Sequence, residues 1–370
     1  MSFFISACKR ITRSIPLVVI IAVIGLIVSA NPTFAKKLKH PRPVVTLINL
    51  PTSVYKTPVF GHEAVDAWVC WLFVQSDVGQ SLKPIGLTVT LFSGKDVVKS
   101  TSYSGEGASA LTLDTSQMDL RLPDGRAPEQ PVYWPMAVRL RNAEPTSLDV
   151  DSMKVVVTLQ ADKGTQLKAE KTVPVLVYHQ KNKLVFPFVG KGIILQAGVT
   201  NGGHKNRSGQ FALDALGLDD NWSVVLGEGK NNSDYRGWGR KIVSPGDGTV
   251  VRARNDRPNQ PVPDISDAKY YAPEHPNGGD VGNYVTIDHG NGEFSMIAHF
   301  QPGSVLVKVG QHVVQGQPLG RLGSSGDATG PHVHYQLQDA PDWEYADALP
   351  VRFENVSEQF LVRGTYFEAK

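Results

Sequence analysis

The 370 residues are 41% hydrophobic and 19% charged, with a net charge of +2. This is globular composition with room for two or three domains, which excludes a disordered or fibrous chain. The balanced charge favours no particular partner, and no nucleic-acid partner is expected.

With 35 Gly, 25 Pro and many Val, Thr and Tyr, the chain favours strands and turns over helices. No long stretch keeps a 3.6-residue apolar period, so the chain reads as mainly β. At the N-terminus, Lys9, Arg10 and Arg13 precede an apolar run of 14 residues, Ile15 to Val28. Small residues follow to Ala35. This pattern describes a secretory signal over residues 1–35, cleaved after Ala35 or Ala30. The run is shorter than the roughly 20 residues a spanning helix needs, and an uncleaved anchor is the lesser alternative. The protein is therefore expected outside the cytoplasm, in the periplasm or cell envelope or secreted. Cys8 precedes the apolar run and is not placed for lipoprotein processing. Removing the signal leaves Cys70, which lies in Ala67–Phe73, a buried-strand pattern where a thiol acts as a small hydrophobe.

Residues 36–183 read as one β-rich, sandwich-like domain. Val44–Ile48, Ala67–Val74, Leu87–Phe92, Ala137–Leu140 and Met153–Leu159 are expected strands, separated by Gly, Pro, Asp and Ser clusters. Strands of this length and spacing suggest an immunoglobulin-like arrangement. His62 and His179 stand alone and read as structural. This domain reads as a spacer or as a module contacting cell wall or protein.

Leu184–Phe188 opens a second domain, residues 184–370. Gly248–Ala253 is strand-like. The Asn221–Arg240 and Asn255–Gly282 segments are long and rich in turn residues, and the latter reads as a loop near a cleft. Tyr284–Ile287, a turn at Asp288–Gly292 and Phe294–Phe300 form a hairpin pattern. Val305–Lys308 and Gln311–Gly320 are expected to add two short strands. Next comes Gly330-Pro331, a turn, and then His332-Val333-His334-Tyr335-Gln336-Leu337-Gln338. A strand has a side-chain period of two, so His332, His334, Gln336 and Gln338 share one face.

Two histidines at this spacing are compatible with a bland surface pair. Upstream, however, stand His204, Asp214 and His299. Zinc takes imidazole nitrogen and carboxylate oxygen tetrahedrally, and a catalytic site keeps one position open. Two histidines and one aspartate from this set would supply three ligands, with further histidines free to move protons or stabilise an oxyanion. His204 and Asp214 are ten residues apart, so the fold must bring them together. By alternation His299 falls on the face of Ser295 and Ile297, opposite Met296, Ala298 and Phe300. His289, in a hairpin turn, reads as structural. His312 reads as solvent-facing, and His275 as a loop residue able to approach the groove.

The ordered run Gly203-His204, Ala212-Leu213-Asp214, Ser244-Pro245-Gly246-Asp247-Gly248-Thr249-Val250, Gly282-Asn283-Tyr284-Val285-Thr286-Ile287-Asp288-His289-Gly290, Ala298-His299-Phe300, Val309-Gly310-Gln311, Gly316-Gln317-Pro318-Leu319-Gly320 and Gly330-Pro331-His332-Val333-His334-Tyr335 resembles the lysostaphin or LytM-type zinc metallopeptidases. The likeness covers roughly Gly190 to Gln338. It implies a small antiparallel β fold with a Zn2+ site in a loop-walled groove. It also implies His204, Asp214 and His334 as metal ligands, and His299 and His332 as the histidines that assist catalysis. The implied activity is endopeptidase cleavage of peptidoglycan peptides. The His204–Asp214 interval is longer than in many members, as though a loop were inserted. Two other readings stand beside it. One is a non-catalytic relative that regulates other cell-wall hydrolases. The other is a lipoyl-like carrier fold over Val305–Gly323, which lacks a suitably placed lysine.

Overall fold

The computed structural model describes residues 45–49, 53–60, 64–76, 82–114, 133–161, 164–197, 204, 207–275, 279–358 and 361–370. The expected signal segment and His62 lie outside these residues. Among the described residues, no helix is long and apolar enough to cross a membrane. The protein is mainly β, and it builds two large sheets.

The first sheet uses β1 (Val45–Asn49), β2 (Val54–Phe60), β3 (Ala64–Ser76), β4 (Lys83–Ser93), β5 (Asp96–Ser104), β6 (Thr112–Asp114), β7 (Tyr133–Pro145), β8 (Ser152–Gln160) and β9 (Gln166–Val177). Its order is β5-β4-β8-β9-β2-β3-β7-β6, with β1 also paired to β3. All pairings are antiparallel except β2 with β9, which run parallel from Val54↔Val175 to Lys56↔Val177. The sheet folds over one core. Trp68, Cys70, Leu72 and Val74 of β3 meet Leu87, Val89 and Leu91 of β4 and Met153, Val155, Val157 and Leu159 of β8. In β8 these four inward side chains alternate with partly exposed ones, the period-two signature of a strand with one covered face. Cys70 sits fully buried in this core, which pushes its thiol up to about 12. The five expected strands are present: β1 is shifted by one residue, and the other four are longer than their apolar centres. β2, β5, β6 and β9 are additional.

The second sheet draws on β10 (Gly190–Ala197), β11 (Leu213–Gly217), β13 (Gly248–Arg254), β14 (Tyr284–Asp288), β15 (Phe294–Ala298), β16 (His312–Val313), β18 (Val333–Gln338), β19 (Ala348–Leu349) and β20 (Tyr366–Ala369), while β12 (Lys241–Val243) pairs separately with β17 (Pro318–Arg321). The order is β16-β13-β14-β15-β18-β11-β10-β20, with β19 on β18. One core fills its inner side, from Leu184, Phe186 and Phe188 through Val285, Ile297, Val333, Tyr335 and Leu337 to Phe367. The opening apolar run Leu184–Phe188 is thus a core plug. Phe186 packs against Phe188, Phe353 and Phe367 at 4.6 to 5.1 Å between ring centroids.

Two expectations need correction. Val305–Lys308 is not a strand: the Leu306 amide bonds the Leu319 carbonyl, but a turn from Lys308 to Gln311 ends the pairing before a ladder forms. Gln311–Gly320 is not one strand either, because a turn at Val314–Gln317 splits it into β16 and β17.

Candidate metal centre

Three neighbouring strands place the polar cluster. β11 and β18 pair antiparallel with Asp214 directly opposite His334, and β15 flanks β18 on its other side with Ala298 opposite His334. Residues directly opposite on paired strands project to the same face. Leu213, Ala215, Val333, Tyr335 and Leu337 turn into the core, which leaves Asp214, His334, Gln336 and Gln338 on the other face. Yet both strands are buried along their whole length. A buried polar face of this kind must satisfy itself or hold a ligand.

His204 Nε2 stands 3.1 Å from Asp214 Oδ2, and His334 Nδ1 stands 2.9 Å from Asp214 Oδ1. One ligand atom from each of His204, Asp214 and His334 lies within 4.8 Å of the others. His332 Nε2 is 3.7 Å from Asp214 Oδ1. The His299 ring centre is 4.5 Å from that of His332 and 6.0 Å from that of His334. The structure therefore brings together all five candidates from the sequence.

His299 arrives there against its alternation. β15 ends at Ala298, and His299 has φ +67°, so the chain turns left-handed and swings its side chain away from the core side of Ile297. Its Nδ1 lies 2.7 Å from the Ser325 carbonyl. Ser325 is in turn pressed against Gly282, where a Cβ would come within 2.4 Å of the Ser325 backbone and φ is +63°. Only glycine permits that approach.

Hydrogen bonds fix the tautomers. A backbone carbonyl can only accept, so Nδ1 of His299 donates to Ser325 O and Nδ1 of His332 donates to Gly330 O. When these rings are neutral, each keeps its Nε2 lone pair. His334 is arranged the other way. Gln336 Nε2 donates to Gln338 Oε1, and Gln338 Nε2 donates to Ala340 O, so Gln336 turns its Oε1 to His334 Nε2 at 3.0 Å. That leaves the His334 Nδ1 lone pair facing Asp214 Oδ1. Two acceptors at this distance need a proton or a cation between them. His204 Nε2 is buried and has no hydrogen-bond partner of good geometry among the described residues. These donors, two imidazoles and a carboxylate, fit a zinc ion.

Burial alone would raise the Asp214 carboxyl, but the facing imidazoles of His204 and His332, with the His334 contact, hold it well below the usual range. Burial, with His332 and His334 alongside, pushes His299 well below the ordinary histidine value.

The cluster floors a cleft of about 280 Å3, walled by Gln196, Gly279, Val281, Asp327, Thr329 and Trp343 among others. The Asn255–Gly282 loop thus reaches the cleft, whereas no residue from Asn221–Arg240 lines it. A larger cleft of about 460 Å3, lined by Lys56, His179, Phe211 and Arg352 among others, holds no comparable ligand cluster among the described residues. The loop between His204 and Asp214 forms buried turns over Ser208–Ala212, and Arg207 ties it to Asp347 at 2.7 Å and to the Tyr345 carbonyl. His275 lies at the rim, 3.2 Å from Glu344 and 5.4 Å from the Trp343 ring, outside the histidine cluster. His289 bonds the Asp247 carbonyl and Ser295 Oγ, a structural role, and His312 is exposed. Gln336 carried no role in the sequence reading, although the period-two pattern had already put it beside His334.

Residues 233–343 match the model of Peptidase family M23. The match includes His299, His332 and His334 but begins after His204 and Asp214, whose placement here rests on the geometry. The chain is 37% identical over 99 residues to peptidoglycan DD-endopeptidase ShyA of Vibrio cholerae, covering 27% of this chain and 17% of that protein. It is 29% identical over 101 residues to murein hydrolase activator EnvC of Escherichia coli, covering 27% and 20%. The chain spans between 12% and 26% of the length of the curated relatives it matches. Among solved structures it aligns with the catalytic domain of lysostaphin from Staphylococcus simulans, at 19% identity and a TM-score of 0.25, covering 43% of this chain and 88% of that one.

Proposed function

We propose that this protein is a zinc-dependent endopeptidase that hydrolyses peptide bonds in peptidoglycan outside the cytoplasm. Residues 1–35 act as an export signal, residues 36–183 as an accessory domain and residues 184–370 as the peptidase domain. The observation that carries the reading is the convergence of His204, Asp214 and His334 within 4.8 Å on a buried polar face, with two more histidines beside them.

His204, Asp214 and His334 hold the ion. A bound zinc ion supplies Lewis acidity and brings the pKa of water towards about 7. His299 and His332 present Nε2 to the cleft. Burial keeps His299 neutral, so it can take a proton from the attacking water, and a histidine charged in this way returns one to the leaving amine. The Ser325 and Gly330 carbonyls keep Nδ1 of both rings protonated, so the proton is taken up and given back at Nε2. Gln196, Thr329 and Trp343 flank the bound peptide.

Similarity to EnvC favours a second reading, a non-catalytic activator of other hydrolases. The filled set of ligand and assisting positions weighs against it. Digestion of purified peptidoglycan with and without a chelator separates the two. Chelator-sensitive release of peptide fragments, identified by mass spectrometry, is the expected result. A protein that takes up no stoichiometric zinc and releases no fragments would be the activator.

A further inference from the structure

Asp214 and His334 are fixed by ladders on both sides, but His204 lies in no strand. Its carbonyl is instead held by the first sheet: Arg139 Nη2, on β7, donates to His204 O at 3.3 Å. The Arg139 guanidinium lies 5.0 Å from the centre of the Trp71 ring on β3, and Trp71 stacks on Phe73 with an interplanar angle of 13°. The alternation of β3 explains what this surface is for. Trp68, Cys70, Leu72 and Val74 face the core of the first sheet, yet Val69, Trp71 and Phe73 on the opposite face are also only 0%, 5% and 6% exposed. Gln210, from the loop between His204 and Asp214, is buried too and donates to the Val69 carbonyl at 3.4 Å. The outer face of β3 therefore meets the loop that presents the first ligand. Among the described residues, none of the first sheet lines the cleft itself.

We propose that Arg139, stacked on Trp71, is a positioning residue for His204, so that the first sheet sets the metal affinity of a site built by the second. The proposal rests on the zinc reading above. A planar guanidinium can stack on an indole while its fork donates to a carbonyl, and a lysine cannot do both with the same geometry. Groups that orient a metal ligand typically change affinity by about 10–100-fold when removed.

The test measures zinc affinity of the full chain by competition with a chromophoric chelator. Arg139→Met keeps the stem packed on Trp71 and removes the donor. It is expected to weaken zinc binding by at least about tenfold. Met153→Ala, which damages the core of the same first sheet without touching His204, is expected to leave zinc affinity within about twofold of the wild type. An equal loss in the two variants indicates general damage and overturns the proposal, as does wild-type affinity in Arg139→Met. Arg139→Lys, the milder change, provides the same comparison if the methionine variant does not fold, and wild-type affinity there also overturns it. A wild-type chain that takes up no zinc would instead sink the metal reading itself, which keeps the two failures apart.

Discussion

The central strands of the two sheets bury different things. In the first sheet, β8 buries Met153, Val155, Val157 and Leu159 and leaves the alternate residues partly exposed. In the second, β18 buries every residue, including His334, Gln336 and Gln338. One strand lowers its free energy by removing hydrocarbon from water. The other spends part of that gain on desolvating imidazole and amide groups, which is tolerable only when they are paired or bind a ligand. Apolar alternation marks a scaffold, and a polar stripe on a fully buried strand marks a site.

The contrast can be broken most severely at the site. Asp214→Asn and His334→Ala are each expected to abolish zinc uptake and to cut peptidoglycan hydrolysis by at least about a thousandfold, since water then returns towards its ordinary acidity. Elemental analysis alongside fragment release checks this, and full hydrolysis by either variant would contradict the assignment. Met153→Ala probes the scaffold. It should cost about 2–5 kcal/mol of stability in a denaturant titration, with zinc affinity unchanged. Gln336→Leu should do the reverse, weakening zinc binding about 10–100-fold while leaving the unfolding midpoint nearly unmoved. If Gln336→Leu unfolds the protein as readily as Met153→Ala and leaves zinc bound, the distinction between the strands collapses. The smallest effect is expected at Cys70. Because burial pushes its thiol up to about 12, the folded protein should resist alkylation at pH 8 and react only after unfolding. Rapid labelling of the native chain would show that the first core is open.

Much of this was readable along the chain, for reasons that are local. The stripe from His332 to Gln338 follows from period two, and its apolar complement, Val333, Tyr335 and Leu337, forms core. The hairpin around Asp288–Gly292 announced itself through its turn residues. What escaped the sequence is mostly non-local or conformational. β9 was missed because Lys171 interrupts its inward set of Leu167, Ala169, Val173 and Val175. β10 and β20 satisfy each other across most of the domain's length in sequence. His299 was put on the wrong face because alternation presumes an extended backbone, and one left-handed residue cancels it. The juxtaposition of His204 with Asp214 depends on buried turns at Ser208–Ala212 and on Arg207 reaching residues 345 and 347, which no spacing rule encodes.

The left-handed backbone at His299 has a consequence for how such a protein can change over generations. A side chain with a Cβ is held there at a cost of about 1–2 kcal/mol, which glycine escapes. His299→Gly therefore relieves the backbone while deleting an imidazole from the groove. Stability alone would favour glycine here, so the imidazole at this position is accounted for by its proposed part in turnover and not by the fold.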